Sequence, residues 1–465
     1  MRKGEKITTN IDWPLFGVYL VLMLLGLTTV YSTAYNPDHP NLFDFSQKYG
    51  KQVVWLLVSL FLGLLVLLID ADIYRKFATP IYLFTLALLV IVLFMPAKFG
   101  ARAWLGIGSL GIQPAEFAKI GTALLLAKYI SGVNIKLQNV QTVIISNSII
   151  LIPMVLILLQ PDAGTFVVYT SFLFVMYREG LSYDPLILKI INLIPGIKFK
   201  ETWVGSHFIP IMFAVVLLCV ATLLYSGETI TFGFLPNFKI PGVVGVLLGL
   251  VTIAGVFLFL SRFIGSRRDR KNALFIVIIG LVLSTSISLG VNGLFKSLAP
   301  HQKERIELFL GLRKDDDGDD YNRNRAMAAV GSGGFLGKGY NKASVSSVES
   351  NHVPESETDF IFCPFAEEWG FLGAFILVCL YMFMLFRIIM IAERQKSRFI
   401  RIYAYTVAMI LFYHFMVNIG MDIGFAPVIG IPLPFFSYGG SSMMSFSMFV
   451  FVLLKLDSQR SYILQ

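Results

Sequence analysis

The chain has 465 residues, 56% of them hydrophobic and only 14% charged, with a formal net charge of +9. A mean hydropathy of +0.73 excludes an ordinary soluble domain, and 41 Phe among abundant aliphatic residues exclude a disordered chain. The solvent that suits such a composition is a lipid bilayer, and the excess of Lys and Arg then points to cytoplasmic loops rather than to nucleic acid.

Apolar segments follow one another at about 13–33, 53–70, 78–95, 115–131, 141–159, 164–178, 208–226, 241–261, 273–297, 359–386, 402–421 and 439–456. Most approach the ~20 residues a spanning helix needs, and they are apolar all round, as spans or buried helices are. The first follows Arg2, Lys3 and Lys6, but it is longer than a secretory signal core and more spans follow, so it reads as a retained helix. The expected fold is an all-α polytopic membrane protein, one integral domain over 1–465.

Basic residues mark one side. Arg75 and Lys76 lie in loop 71–77, Lys189, Lys198 and Lys200 in 179–207, five Arg or Lys in 262–272, and Arg387, Arg394, Lys396, Arg398 and Arg401 in 387–401. These loops fall on one face if all twelve segments span, and the positive-inside rule makes that face cytoplasmic, with both termini. The opposite loops are rich in Gly, Pro and aromatics, and the longest, 298–358, is expected to face outward and to be functional.

That loop holds "DDDGDD", residues 315–320. It lacks the ligand spacing of an EF-hand, so a solvated charged turn, a catalytic carboxylate and a cation ligand all stay open from composition. "GSGGFLGKGY", 331–340, departs from a nucleotide-binding loop, because Ser332 replaces the first Gly and Gly339 the Ser/Thr. It reads either as a glycine-rich turn or as backbone amides approaching an anion, with Lys338 as a point charge. Glu116 and Lys119 lie three apart on one helix face; each alone would cost ~2.5–3.5 kcal/mol at a span's centre. They read as a structural brace or as charges in a substrate cavity. Asp162, Glu367 and Glu368 raise the same question. "GIPLPFFSYGGSS" is a loop too apolar for free solvent, expected to pack back into protein. Cys219, Cys363 and Cys379 sit in apolar runs as small hydrophobes, and no Cys/His cluster has metal spacing.

Five stretches together resemble the RodA/FtsW (SEDS) family of membrane glycosyltransferases: "GARAWLGIGSLGIQPAEFAK" (100–119), "QPDAGT" (160–165), "GSGGFLGKG" (331–339), "ETDFIFCPFAEEWGFLG" (357–373) and "NIGMDIGFAPVIGIPLPFFSYGGSS" (418–442). The last looks more like the RodA branch. The resemblance implies a SEDS-type helical bundle of ten spans, here with an inserted pair of apolar segments within 179–272, and polymerisation of lipid II outside the bacterial cytoplasmic membrane. It implies a catalytic Asp in the long outer loop. Counting forward from Arg305 in "PHQKER" or back from Tyr321 lands on Asp315, although Asp316 and Asp317 stand where the family differs. It further implies substrate contacts at Arg102, Glu116, Lys119, Asp162, Arg305, Lys338 and Ser437, with the pyrophosphate's charge met by Arg/Lys or by a divalent cation, Mg or Mn. The expected partner is a class B penicillin-binding protein. A lipid II flippase and a non-catalytic scaffold for that partner are the alternatives.

All of this requires position 315 to face outward. With the three native cysteines replaced, Asp315→Cys is expected to react with a membrane-impermeant maleimide in intact cells; labelling seen only after lysis would overturn the topology.

Overall fold

The computed structural model describes residues 10–96, 102–106, 111–193, 202, 204–226, 229–232, 235–264, 267–297, 303, 307, 319–346, 353, 355–426 and 428–460. The chain divides into two compact units, one of residues 1–206 with 321–465 and one of residues 207–320.

The first unit is helical. It contains α1 (Trp13–Thr33), α2 (Lys48–Leu68), α3 (Ala71–Val92), α4 (Pro114–Ile130), α5 (Val140–Leu159), α6 (Ala163–Tyr169), α7 (Ser171–Arg178) and α8 (Asp184–Ile191). The second unit contributes α9 (Phe208–Ser226), an antiparallel hairpin of β1 (Thr229–Phe232) and β2 (Leu235–Pro241), α10 (Gly242–Ile264) and α11 (Arg267–Ser297). After α12 (Asp319–Ser332), the first unit is completed by α13 (Phe362–Glu393), α14 (Arg398–Asp422) and α15 (Gly440–Ser458).

Every expected apolar segment is helical, and among the described residues ten helices are long and apolar enough to cross a membrane; the chain is a multi-pass membrane protein. Two expected spans differ. α4 has 17 residues and carries Glu116, Lys119 and Lys128. The segment 164–178 is broken into α6 and α7 at Thr170, whose hydroxyl donates back to the Val167 carbonyl at 2.6 Å. The connection between the apolar segments 208–226 and 241–261 holds most of the hairpin. β-branched Thr229, Ile230 and Thr231 suit its first strand, which pairs in register with Lys239, Ile240 and Pro241.

α14 is the centre of the first unit, touching α4, α6, α7, α13 and α15, while α15 also packs on α2 and α4. The share of the spanning window that is buried reaches 72% for α14 and 83% for α15. In the second unit α9, α10 and α11 pack on one another, joined by a buried Thr222–Ser288 hydroxyl pair at 3.0 Å. Only 11%, 6% and 6% of their spanning windows is buried, so these helices turn most of their surface to lipid.

At one end of the first unit, the basic residues counted above meet buried carboxylates. Asp12, which caps α1 by accepting from Leu15 N, also accepts from Arg387 at 2.6 Å and Arg394 at 2.9 Å. Arg394 and Gln395 both reach Asp457, at the end of α15. Arg401 forks onto Glu179 at 2.7 and 3.1 Å, the bidentate geometry in which Arg binds carboxylate best.

α13 is interrupted. At Gly370 the backbone turns to φ 65°, ψ −165°, and the groups freed by the break are paired by the glycine-rich turn. Lys338 N and Gly339 N each donate at 3.0 Å, to the carbonyls of Glu367 and Glu368. On the far side of the break, Phe371 N donates to Gly334 O at 2.9 Å and Leu372 N to Phe335 O at 3.1 Å. The turn therefore splices the helix, and it needs glycine for lack of room. Gly337 has φ +81°, and a Cβ there would lie 2.0 Å from Glu368 O.

Gly337→Ala is expected to lower stability by about 1–3 kcal/mol or more, the cost of a strained backbone plus a clash. Thermal melting in detergent measures it; an unchanged melting temperature would show that the turn is not packed into the helix.

Candidate functional site

The site expected from sequence gathers loops at the end of the first unit opposite the basic belt. Asp315, its neighbours Asp316 and Asp317, and Arg305 lie outside the described residues. What is described is the chain that leaves the acidic cluster: α12, the glycine-rich turn, and residues up to 346.

α12 lies against the start of α13, with Ala326 and Ala329 fully buried among Val353, Phe360 and Cys363. Small side chains on this face let the helix approach closely. Arg325 stacks its guanidinium over the Tyr321 ring at 3.8 Å.

Arg102 is exposed, on the loop that leads into α4, just ahead of a bridge between Leu105 and Ile112. That loop is tied down beyond the bridge: Gln113 N donates to Ser441 Oγ at 3.0 Å, and Gln113 Nε2 donates to Asp162 at 2.8 Å. Asp162 also caps α6, accepting from Thr165 N and Thr165 Oγ1, each at 2.9 Å. Its carboxylate thus joins two loops and a helix start.

Ser437 is buried. Its hydroxyl donates to Thr358 O at 2.6 Å and accepts from Leu433 N at 2.8 Å, fastening the apolar "PFFSYGG" loop to the chain that enters α13. Tyr438 N adds a bond to Glu357 O at 2.9 Å, and Glu357 pairs with Lys48. Beside this junction, Asp359 is ringed by protein but keeps an accessible edge. Burial pushes its carboxyl up to about 7, with the charges of Glu355 and Asp162 acting in the same sense.

Glu116 and Lys119 meet as the spacing requires, with Nζ 2.9 Å from Oε1 and both side chains buried. The ammonium also lies 2.9 Å from His414 Nε2 and 5.1 Å from the centre of the Phe446 ring. His414 Nδ1 stands 3.2 Å from Pro432 O; a neutral imidazole donating there leaves Nε2 to accept from Lys119. One charge pair and one His thus tie α4 to α14, and the same His reaches the loop before α15.

Lys338 does not present a free ammonium. Its three hydrogens are matched by Ser332 Oγ and Ser344 Oγ, each at 2.8 Å, and Glu367 Oε1 at 2.5 Å. The turn's amides of Lys338 and Gly339 are likewise taken up by the splice, so of the two readings of this motif the packed turn is the one observed.

Three participants, His414, Gln113 and Asp359, are not among the site residues expected from the sequence. His414 was one of five scattered His, yet an ionisable residue within an apolar run is itself a flag. Gln113 and Asp359 lie within the quoted stretches 100–119 and 357–373, but their partners are distant in the chain, so the motif alone does not give their bonds.

Comparison with known proteins places these features in a family. The model of the cell cycle protein family FTSW_RODA_SPOVE matches residues 12–212 and 243–462. The chain is 29% identical over 470 residues to the peptidoglycan glycosyltransferase RodA of Treponema pallidum (strain Nichols), covering 97% of this chain and 98% of that protein. It is 28% identical over 389 residues to the peptidoglycan glycosyltransferase MrdB of Escherichia coli (strain K12), covering 82% and 79%. Among solved structures, a chain of a peptidoglycan synthase complex that coordinates polymerization and crosslinking superposes with a TM-score of 0.65 at 24% identity, covering 97% of this chain and 99% of that one. The Thermus thermophilus rod shape determining protein RodA superposes with a TM-score of 0.58 at 23% identity, covering 98% and 99%.

The Asp359 carboxyl yields a pH prediction. Folded, it holds its proton up to about pH 7; unfolded, it releases it in the ordinary carboxylate range. Between those limits the unfolded state binds fewer protons, so this group makes the fold less stable as pH rises, and the loss levels off above its folded value. Asp359→Asn is expected to raise the melting temperature relative to the parent more at about pH 8 than at about pH 4. Equal shifts at both would mean that the carboxyl does not titrate this way.

Proposed function

Because the chain belongs to the FtsW/RodA/SpoVE family of cell cycle proteins, we propose that it is a peptidoglycan glycosyltransferase of the RodA type, joining lipid II into glycan strands during cell elongation. The end-to-end likeness to a relative of that activity carries the reading.

In this reaction the acceptor hydroxyl oxygen attacks the sugar carbon that bears the lipid pyrophosphate. The new glycosidic bond forms as the old C–O bond breaks, the pyrophosphate leaves on its lipid, and the hydroxyl proton passes to a base. Asp315 is that base, a role that typically contributes ~10²–10⁴-fold. Arg102 and Arg305 meet the charge of the pyrophosphate as it leaves. Lys338 adds its charge from a place fixed by Glu367. Glu116 and Lys119 hold α4 against the centre of the bundle, and Asp162 and Ser437 hold the loops that shape the substrate's cavity. A divalent cation such as Mg or Mn, held by the aspartates at 315–317, would supply further positive charge. Among the described residues no group of three His, Cys, Asp or Glu is gathered to hold a metal.

The partner of this activity is a crosslinking transpeptidase, a class B penicillin-binding protein, in the bacterial cytoplasmic membrane with both termini inside. The end of the bundle where Arg387, Arg394 and Arg401 gather supports that orientation.

Purified protein supplied with lipid II in detergent is expected to lengthen glycan chains, and Asp315→Asn to slow this at least ~100-fold. Undiminished synthesis by that variant would refute the base assignment. Movement of labelled lipid across vesicles with no synthesis would favour a flippase.

A further inference from the structure

The most saturated carboxylate among the described residues belongs to Glu367, which the reaction above invokes only as the anchor of Lys338. It is fully buried at the interrupted end of α13 and accepts six hydrogen bonds. Oε1 receives Lys338 Nζ at 2.5 Å, Ser344 N at 2.8 Å, Ser344 Oγ at 3.3 Å and Val345 N at 2.9 Å. Oε2 receives Ser346 N at 3.0 Å and Ser346 Oγ at 2.6 Å. All six donors lie in one short stretch, 338–346. Its neighbour Glu368 adds bonds from Asn341 N at 3.1 Å and Ser32 Oγ.

The splice also ties Lys338 and Gly339, and Tyr340 Oη donates to Thr28 O at 3.1 Å, but the backbone amides of Ser344, Val345 and Ser346 all turn to Glu367. The held stretch reads "KGYNKASVS", nearly all small or polar, and Tyr340, Asn341 and Lys342 are exposed or half-exposed. Such a segment opens locally at low cost unless specific bonds hold it. The core of the first unit, in contrast, rests on the buried apolar surfaces of α14 and α15. The carboxylate therefore governs one segment and leaves the bundle to itself. That segment continues directly from α12, and α12 from the acidic cluster.

We propose that Glu367 is a positioning residue for glycosyl transfer: its carboxylate latches residues 338–346 to the break in α13 and so sets where the chain leaving the acidic cluster is held. The inference rests on the glycosyltransferase reading. Glutamine at 367 has the same shape but one accepting oxygen, and its NH₂ would face the donors of Ser346. Aspartate keeps the charge and both acceptors on a shorter arm.

The test compares parent, Glu367→Gln and Glu367→Asp as full-length protein in detergent, by steady-state kinetics on lipid II, thermal melting, and amide hydrogen exchange at residues 344–346. In Glu367→Gln, kcat is expected to fall about 100-fold, the penalty of a misplaced reacting group, while KM stays within about threefold. Exchange at 344–346 rises and the melting temperature holds, and Glu367→Asp recovers part of kcat. Parental kcat in Glu367→Gln overturns the inference, as does a loss of kcat that comes with general melting and is not recovered by Glu367→Asp. If the parent itself makes no glycan, the glycosyltransferase reading falls, and with it the catalytic role of the latch. Exchange at 344–346 then judges the latch itself, and unchanged exchange in Glu367→Gln removes it too.

Discussion

A backbone polar group left unpaired in the apolar layer of a membrane costs several kcal/mol, so a helix there can stop only where something else takes over its hydrogen bonds. α13 stops at Gly370, and the glycine-rich turn takes over, with two amides entering below the break and two carbonyls receiving the amides above it. Because the turn and the helix complete each other, neither can be drawn without the other. The chain between the acidic cluster and α13 is thereby held to the bundle by backbone bonds, with the Glu367 carboxylate beside them. In a motif that resembles a phosphate-binding loop in composition, the amides of Gly333, Gly337, Lys338 and Gly339 are committed to carbonyls of the protein itself.

The same economy of polar groups runs through the bundle. Glu116, Lys119 and His414 satisfy one another at the contact of α4 with α14. Asp12 and Asp457 are enclosed by Arg387 and Arg394. Removing one partner of such a group strands the other charge in a poor solvent, which is strongly destabilising. The loops at the opposite end are joined by side chains acting as backbone partners, Ser437 and Asp162 foremost. Asp162 and Ser437, expected from sequence at the substrate, thus make bonds that fasten one loop to another.

Much of this was legible in the chain. Each of the twelve apolar runs is helical, one of them as two short helices, because lipid-facing helices must be apolar along their length whatever they pack against. The weakest run, 164–178, was the one that broke, at Thr170. The pairing of Glu116 with Lys119 followed from a spacing of three on a helix, and "PFFSYGG" was too apolar to be anything but packed. The hairpin at 229–241 was not seen, since its short strands are set by pairing with each other and β preference is weak outside that context. His414 stands in no recognisable pairing along the chain because its partner is 295 positions away in sequence, and a lone cation beside glycines says nothing of the carboxylate that Lys338 also meets.

By itself the sequence determined the class of solvent, the rough limits of the long apolar helices and the family, because hydropathy and motif order are properties of the chain read along its length. Only the tertiary structure decided that the glycines splice a broken helix, that Lys338 belongs to Glu367, and that Ser437 and Asp162 fasten loops. Each of these depends on which distant groups must satisfy one another's hydrogen bonds once water is excluded, and that is settled only when the helices pack.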